Sequence, residues 1–214
     1  MRIDFTKYDR LIHSADGRVV KTKIALFRAL ISLLEEKDFK YITVTDLCKA
    51  AMINRKTFYV HYGLTRELYD DMMHWIACWI LDEIVSEKIF TEDRFDSYAY
   101  VMFLFHTVED NKKETDILFP YLRSGGFQGV LGVETGRLAF RFMRKFPKRY
   151  HQQLYPMTTV FVLNGLMTCF MDWIELGRQF PVEELAELSR EMYTVPLGNI
   201  LSGAQTDTDI QEVQ

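Results

Sequence analysis

Proline and glycine are scarce in this chain, five and eleven in 214 residues. So few breakers suit helices joined by short connections. No strand alternation, internal repeat or low-complexity tract is found along it. The three cysteines, Cys48, Cys78 and Cys169, are far apart and odd in number, which excludes a disulfide framework and suggests a reduced compartment. The N-terminus carries Asp4 and Asp9 and no long apolar run, so a signal peptide is not expected. No stretch reaches the ~18–20 uninterrupted apolar residues that a membrane helix needs. Met157 to Trp173 comes nearest, but Asn164, Gly165, Thr168 and Asp172 interrupt it, and it reads as a buried helix of a soluble, cytoplasmic protein. A nucleophile elbow, a metal-ligand set and paired catalytic carboxylates are all missing. The expectation is a protein that is not an enzyme and has no cofactor.

What is present is apolar bulk and uneven charge. Hydrophobic residues make up 48% of the chain, enough for a real core. The net charge is −4, yet between Arg18 and Arg66 ten basic residues stand against four acidic ones, a local +6. Residues 1–17 balance, so 67–214 carry −10. A basic head on an acidic body marks where a polyanion would dock.

The pattern divides the chain into a loose arm over 1–17, a small helical domain over 18–64, a larger helical domain over 65–202 and a frayed polar tail over 203–214. From Arg18 to Lys37, Ile24, Phe27, Leu30, Ile31 and Leu34 recur at helical steps. Lys37 to Tyr41 is a polar break. Thr43 and Asp46 have the spacing of a capping box, opening a short helix with Val44, Leu47, Cys48 and Ala51 on its buried face. Met52-Ile53-Asn54 is a turn, and Asn54 caps a third helix from Arg55 to Tyr62 that Gly63 stops. A long helix follows over Thr65–Ile89. Further helices are predicted over Asp96–Asp110, Glu114–Leu122, Gly126–Phe146, Tyr155–Gly177 and Pro181–Met192, with Pro181 in the first turn. The fold class is therefore all-α, with about nine helices.

Two short helices joined by a tight turn are the physics of a helix-turn-helix. In the second, Ile53, Phe58 and Tyr62 point inward. Arg55, Lys56, Thr57, Tyr59 and His61 are left facing out, where they can reach phosphates or base edges from a major groove. A bare solvated helix face is the alternative.

The stretch Arg18…Thr22-Lys23, Thr43-Val44-Thr45-Asp46-Leu47-Cys48-Lys49-Ala50-Ala51-Met52-Ile53-Asn54 and Thr57-Phe58-Tyr59-Val60-His61-Tyr62 closely resembles the N-terminal domain of the TetR family over about residues 18–75. The resemblance implies that Thr45, Arg55, Lys56, Thr57, Tyr59 and His61 contact DNA, Thr57 and Tyr59 through phosphates and Arg55 and Lys56 through bases. Lys23, Thr43 and Thr65 are added as candidate DNA contacts. Two positions depart from the family pattern. Met52 stands where glycine is common, and Thr65 where a phosphate-gripping lysine is usual, leaving Thr65 as a helix cap or Arg66 to hold that phosphate. Val162-Leu-Asn-Gly-Leu-Met, Asp172-Trp-Ile-Glu-Leu-Gly177 and Pro181-Val-Glu-Glu-Leu look like the last two helices of a TetR subgroup with a six-helix regulatory domain. That likeness implies a homodimer through the helices at 155–177 and 181–193, and a double-stranded, near-palindromic operator.

Other constellations have plainer readings. His74 and Cys78 stand four apart on one helix, but no third ligand is evident, so packing is the expectation and no metal site is assigned. His106 reads as a core histidine or a pocket residue. Trp75, Trp79, Tyr100, Phe103, His106, Phe140, Met143, Phe161, Asn164 and Met167 are candidates to line a small-molecule effector cavity, or simply core. Gly125-Gly126-x-x-Gly129-x-x-Gly132 follows no strand and reads as a loop entering a helix. The expected function is a dimeric repressor released from its operator by a small ligand. The alternatives are a DNA-binding regulator controlled by a protein partner, and a helical interaction protein without DNA binding.

Overall fold

A computed structural model describes residues 16–89, 95–123, 125–142 and 154–194. The expected tail over 203–214, most of the expected arm and Met143 lie outside the described residues. The described residues form nine α-helices: α1 Gly17–Leu34, α2 Val44–Ala50, α3 Arg55–His61, α4 Thr65–Ser86, α5 Ser97–Asp110, α6 Lys112–Leu122, α7 Gly125–Phe142, α8 Leu154–Glu175 and α9 Val182–Ser189. A 3-10 turn, Phe39–Tyr41, fills the predicted break, and a π-turn, Arg190–Thr194, extends α9.

Several boundaries differ from the sequence expectation for identifiable reasons. Helix α1 starts at Gly17 because the side chain of Asp16 accepts from the amide of Arg18 at 2.8 Å, taking a donor that the helix start leaves unpaired. Its buried face is Val20, Leu26, Phe27, Ala29, Leu30 and Ile31, so Ile24 and Leu34 sit half-buried at the margin. Pro181 is the cap of α9, one position before the helix. Gly177 ends α8 with φ +81° and Arg178 follows at φ +56°, while their amides donate back to the carbonyls of Ile174 and Trp173. Left-handed backbone of this kind satisfies the last carbonyls of a helix.

The chain divides into two compact units. The first comprises residues 1–83 and 104–134, the second residues 84–103 and 135–214. In the first, Leu26, Phe27, Leu30, Leu47, Phe58, Leu68, Met72, Trp75 and Trp79 are fully buried. Trp75 stacks on Trp79 with ring centroids 6.2 Å apart, and Phe27 lies 6.5 Å from Trp75. An aromatic group of Phe39, Tyr69 and Tyr121 braces the 3-10 turn, and Phe39 donates its amide to the Tyr121 hydroxyl at 3.3 Å. Lys113 on α6 pairs with Glu35 at the end of α1 at 2.7 Å, which raises the Lys113 pKa.

In the second unit the Tyr100 hydroxyl donates to the carbonyl of Leu163 at 3.2 Å and Ser97 donates to that of Ser189 at 2.8 Å. Complete burial pushes the Tyr100 phenol pKa up. Trp173 donates its indole N–H to the carbonyl of Phe180 at 2.8 Å, folding the turn after α8 back on the helix. Met157–Glu175 reaches a mean hydropathy of 1.3 and is long and apolar enough, by length and composition, to cross a membrane. In this unit it has two faces. Val162, Leu163, Leu166, Met167, Phe170 and Trp173 are buried, while Met157 and Phe161 are exposed.

Candidate nucleic-acid interface

The basic head is built around one short helix. Thr43 accepts from the amide of Asp46 at 3.2 Å, and Asp46 accepts from the amide of Thr43 at 2.9 Å, completing the expected capping box of α2. Lys37 donates to the same Asp46 carboxylate at 2.8 Å. That bond, followed by the amide and hydroxyl of Thr43, holds the Asp46 carboxyl well below the usual carboxylate range. Leu47 and Cys48 then face the core, and burial raises the Cys48 pKa.

The turn closes with the amide of Met52 donating to the carbonyl of Lys49 at 3.3 Å and that of Ile53 to Cys48 at 3.0 Å. Met52 has φ +54° and its side chain is 91% exposed. A left-handed conformation at a residue with a Cβ is strained, and no packing compensates it. Asn54 then caps α3 by accepting from the amide of Lys56 at 2.9 Å.

Phe58 and Tyr62, one turn apart, anchor α3 to the core with ring centroids 5.8 Å apart. This fixes which side faces outward. Arg55, Lys56 and Tyr59 are exposed, whereas Thr57 and His61 are half-buried at its edges. The Tyr59 hydroxyl hydrogen-bonds the Arg55 guanidinium and raises its pKa, so the two side chains lie along one line of the helix. Thr43, Thr45 and Lys49 are exposed on α2. Lys49 on α2 and Val60 on α3, the latter 78% exposed, also lie on this surface, and neither was among the expected DNA contacts. With Phe58 and Tyr62 inward, the 100° step of a helix sends Val60 out, so the signal lay in the periodicity.

Two expectations are corrected here, the Thr65 cap and the left-handed Gly63 stop. Lys23 is half-buried; it donates to Asp71 at 2.8 Å and lies over the Tyr62 ring at 5.2 Å. Thr65 is the first residue of α4 and does not occupy its cap position; Glu67 instead reaches back to accept from the amide of Gly63 at 2.7 Å. Gly63 is not a left-handed stop, because Tyr62 leaves α3 in extended conformation; a Cβ on Gly63 would lie 3.3 Å from the Glu67 carboxylate. Arg66 donates to Asp70 at 2.8 Å and lies over the Tyr69 ring at 5.2 Å. The ion pairs of the head among the described residues include Lys23–Asp71, Lys37–Asp46, Lys40–Asp38 and Arg66–Asp70, and none of these involves Arg55 or Lys56.

The effector-cavity candidates divide between the two units. Trp75 and Trp79 are core of the first. His106 is exposed with its ring 5.4 Å from Phe105, so it is not a core histidine. In the second unit Tyr100 and Met167 are buried and Phe103 is half-buried, but Phe140 and Phe161 are exposed at 58% and 68%. Asn164 is half-buried, with its Oδ1 buried and lacking a partner among the described residues. One expectation of absence also changes. His74 and Cys78 on α4 are joined by Glu134 on α7, and the donor atoms of all three lie within 4.8 Å of one another.

No family model matches the chain. Over 70 residues it is 39% identical to the uncharacterized HTH-type transcriptional regulator YxbF of Bacillus subtilis (strain 168), a stretch that covers 32% of this chain and 18% of that relative's length. Among solved structures, the TetR family repressor AlkX from Dietzia sp. strain DQ12-45-1b, implicated in biodegradation of n-alkanes, matches with a TM-score of 0.55 and 17% identity over 84% of this chain and 96% of AlkX. The fatty acid degradation regulator FadR from Bacillus halodurans matches with a TM-score of 0.49 and 14% identity over 84% and 95% of the two chains. The described chain is thus an all-α helix-turn-helix protein. Its fold is similar to that of the AlkX repressor.

Proposed function

We propose that this protein is a dimeric, DNA-binding transcriptional regulator whose α3 lies in the major groove. The observation that carries the reading is the outward face of α3, where Arg55, Lys56 and Tyr59 are exposed on a helix anchored from beneath by Phe58 and Tyr62. Arg55 and Lys56 are suited to base edges, because charged donors on the first turn of a recognition helix reach deepest. Tyr59, Thr57 and His61, with Thr43 and Thr45 at the start of α2, are suited to phosphates. Val60 supplies an apolar contact for a thymine methyl. The 70-residue likeness to an HTH-type transcriptional regulator supports the assignment.

Exposed apolar side chains on α8 and α9 support the dimer. Met157 and Phe161 on α8 and Leu188 and Met192 at α9 are exposed apolar side chains on the two helices that TetR-like regulators use to pair. A two-fold pair presents two α3 helices to successive turns of a near-palindromic operator. Repression, and release by a small effector held in the larger helical region, complete the reading. Such an effector must favour the DNA-incompetent state to act.

The test is selection of bound duplexes from a random library by the parent and by an Arg55→Ala, Tyr59→Ala variant. A near-palindromic site enriched by the parent and lost by the variant is the expected result. No enrichment at low salt from a folded dimer would overturn the apo-repressor reading. With the selected site in hand, Arg55→Ala should cost about 1–3 kcal/mol and relax preference at one base pair.

A further inference from the structure

We propose that His74, Cys78 and Glu134 form a binding site for a divalent transition-metal ion of the zinc class, a site independent of the DNA reading. His74 and Cys78 are one turn apart on α4, which stacks their side chains on one face. Glu134 on α7 closes the set, and its Oε1 lies 3.2 Å from His74 Nε2. Nitrogen and oxygen ligands on a tetrahedral zinc, each about 2.0–2.2 Å from the metal, stand roughly 3.3–3.5 Å apart. The pair is therefore already close to ligand spacing, and the thiol lies within the same 4.8 Å cluster.

The donor chemistry selects the ion. Imidazole and thiolate favour Zn²⁺, Co²⁺ or Ni²⁺ over Mg²⁺ and Ca²⁺, which take oxygen. Binding breaks the Cys78 S–H bond, releases that proton to solvent and forms a sulfur–metal bond. One thiolate and one carboxylate then neutralise the dication. That balance suits three side chains that are each half-buried, because an uncompensated charge there would be costly. Three protein donors leave a fourth tetrahedral position for water or another ligand. The ion would pin α4, which starts just after the recognition helix, to α7.

The test is titration of chelator-stripped, full-length protein with Co²⁺, following the thiolate-to-cobalt charge-transfer absorption and the thermal midpoint. The expected result is one Co²⁺ per chain, a charge-transfer band and a raised midpoint, since a ligand of the native state stabilises it. Cys78→Ser should abolish the band. Glu134→Gln should weaken binding by at least about tenfold, because even loss of an outer partner of a metal ligand costs that much. Cys169→Ser should keep the band, which separates the site from the exposed thiol on α8. A folded parent that gives no band at stoichiometric Co²⁺, or a band that survives Cys78→Ser, would overturn the proposal. Should Cys78→Ser fail to fold, unaltered binding in Glu134→Gln would do the same.

Discussion

Lys23 donates to Asp71 at 2.8 Å across 48 positions of sequence, and Tyr62 donates to the same carboxylate oxygen at 2.5 Å. One acid on α4 thereby holds α1 and the end of the recognition helix together. The Lys23 and Asp71 side chains are only 19% and 18% exposed, so this is a brace inside the head. Hydrogen bonds to charged groups at such sites contribute about 1.5–3 kcal/mol. Lys23→Ala is expected to lower stability by that order in urea denaturation. It should leave the salt slope of DNA binding unchanged, whereas a lost phosphate contact reduces the slope by about 0.9.

Met52→Gly is expected to stabilise the protein. The left-handed backbone costs a residue with a Cβ roughly 1–2 kcal/mol, and glycine gives part of that back as unfolded-chain entropy. Because Met52 is exposed, no burial is lost. A net gain of up to about 1 kcal/mol should appear as a higher urea midpoint with unchanged m-value.

Acid should loosen the head through Asp46. Its folded pKa is lowered, by Lys37 first and then by Thr43, relative to an unfolded value near ~3.9. The carboxylate's contribution is therefore fully present above that unfolded value and is lost as pH falls through the folded one. Asp46→Asn should flatten the stability profile below about pH 4 while leaving the rest of the curve in place, as followed by circular dichroism.

Phe161→Glu should shift the sedimenting species from twice the chain mass to the chain mass. Phe161 contributes little to its own unit's core, being 68% exposed, so the variant should keep the helicity of the parent. A dimer that persists would remove the pairing proposed for α8.

The head was readable because its determinants are local. A capping box needs two residues three apart, and the Thr43–Asp46 spacing specified the start of α2. Phe58 and Tyr62, four apart, specified which side of α3 is outward. Lys23 was not readable as a brace, because Asp71 is remote from it in the chain and because a basic residue looks the same whether paired or presented. The exposed position of His106 was hidden for a related reason. Apolar residues surround it on its helix, and helical periodicity then cannot say which side meets the core.

The sequence by itself determined the helical class, the helix-turn-helix and the chemistry of its outer face, since each rests on spacings of three or four residues along one chain. Only the tertiary structure decided which charges are spent internally, which side of α8 is left exposed, and that Glu134 meets His74 and Cys78. Those facts depend on which helices pack together, and packing between residues 60 positions apart leaves no periodic trace in the chain.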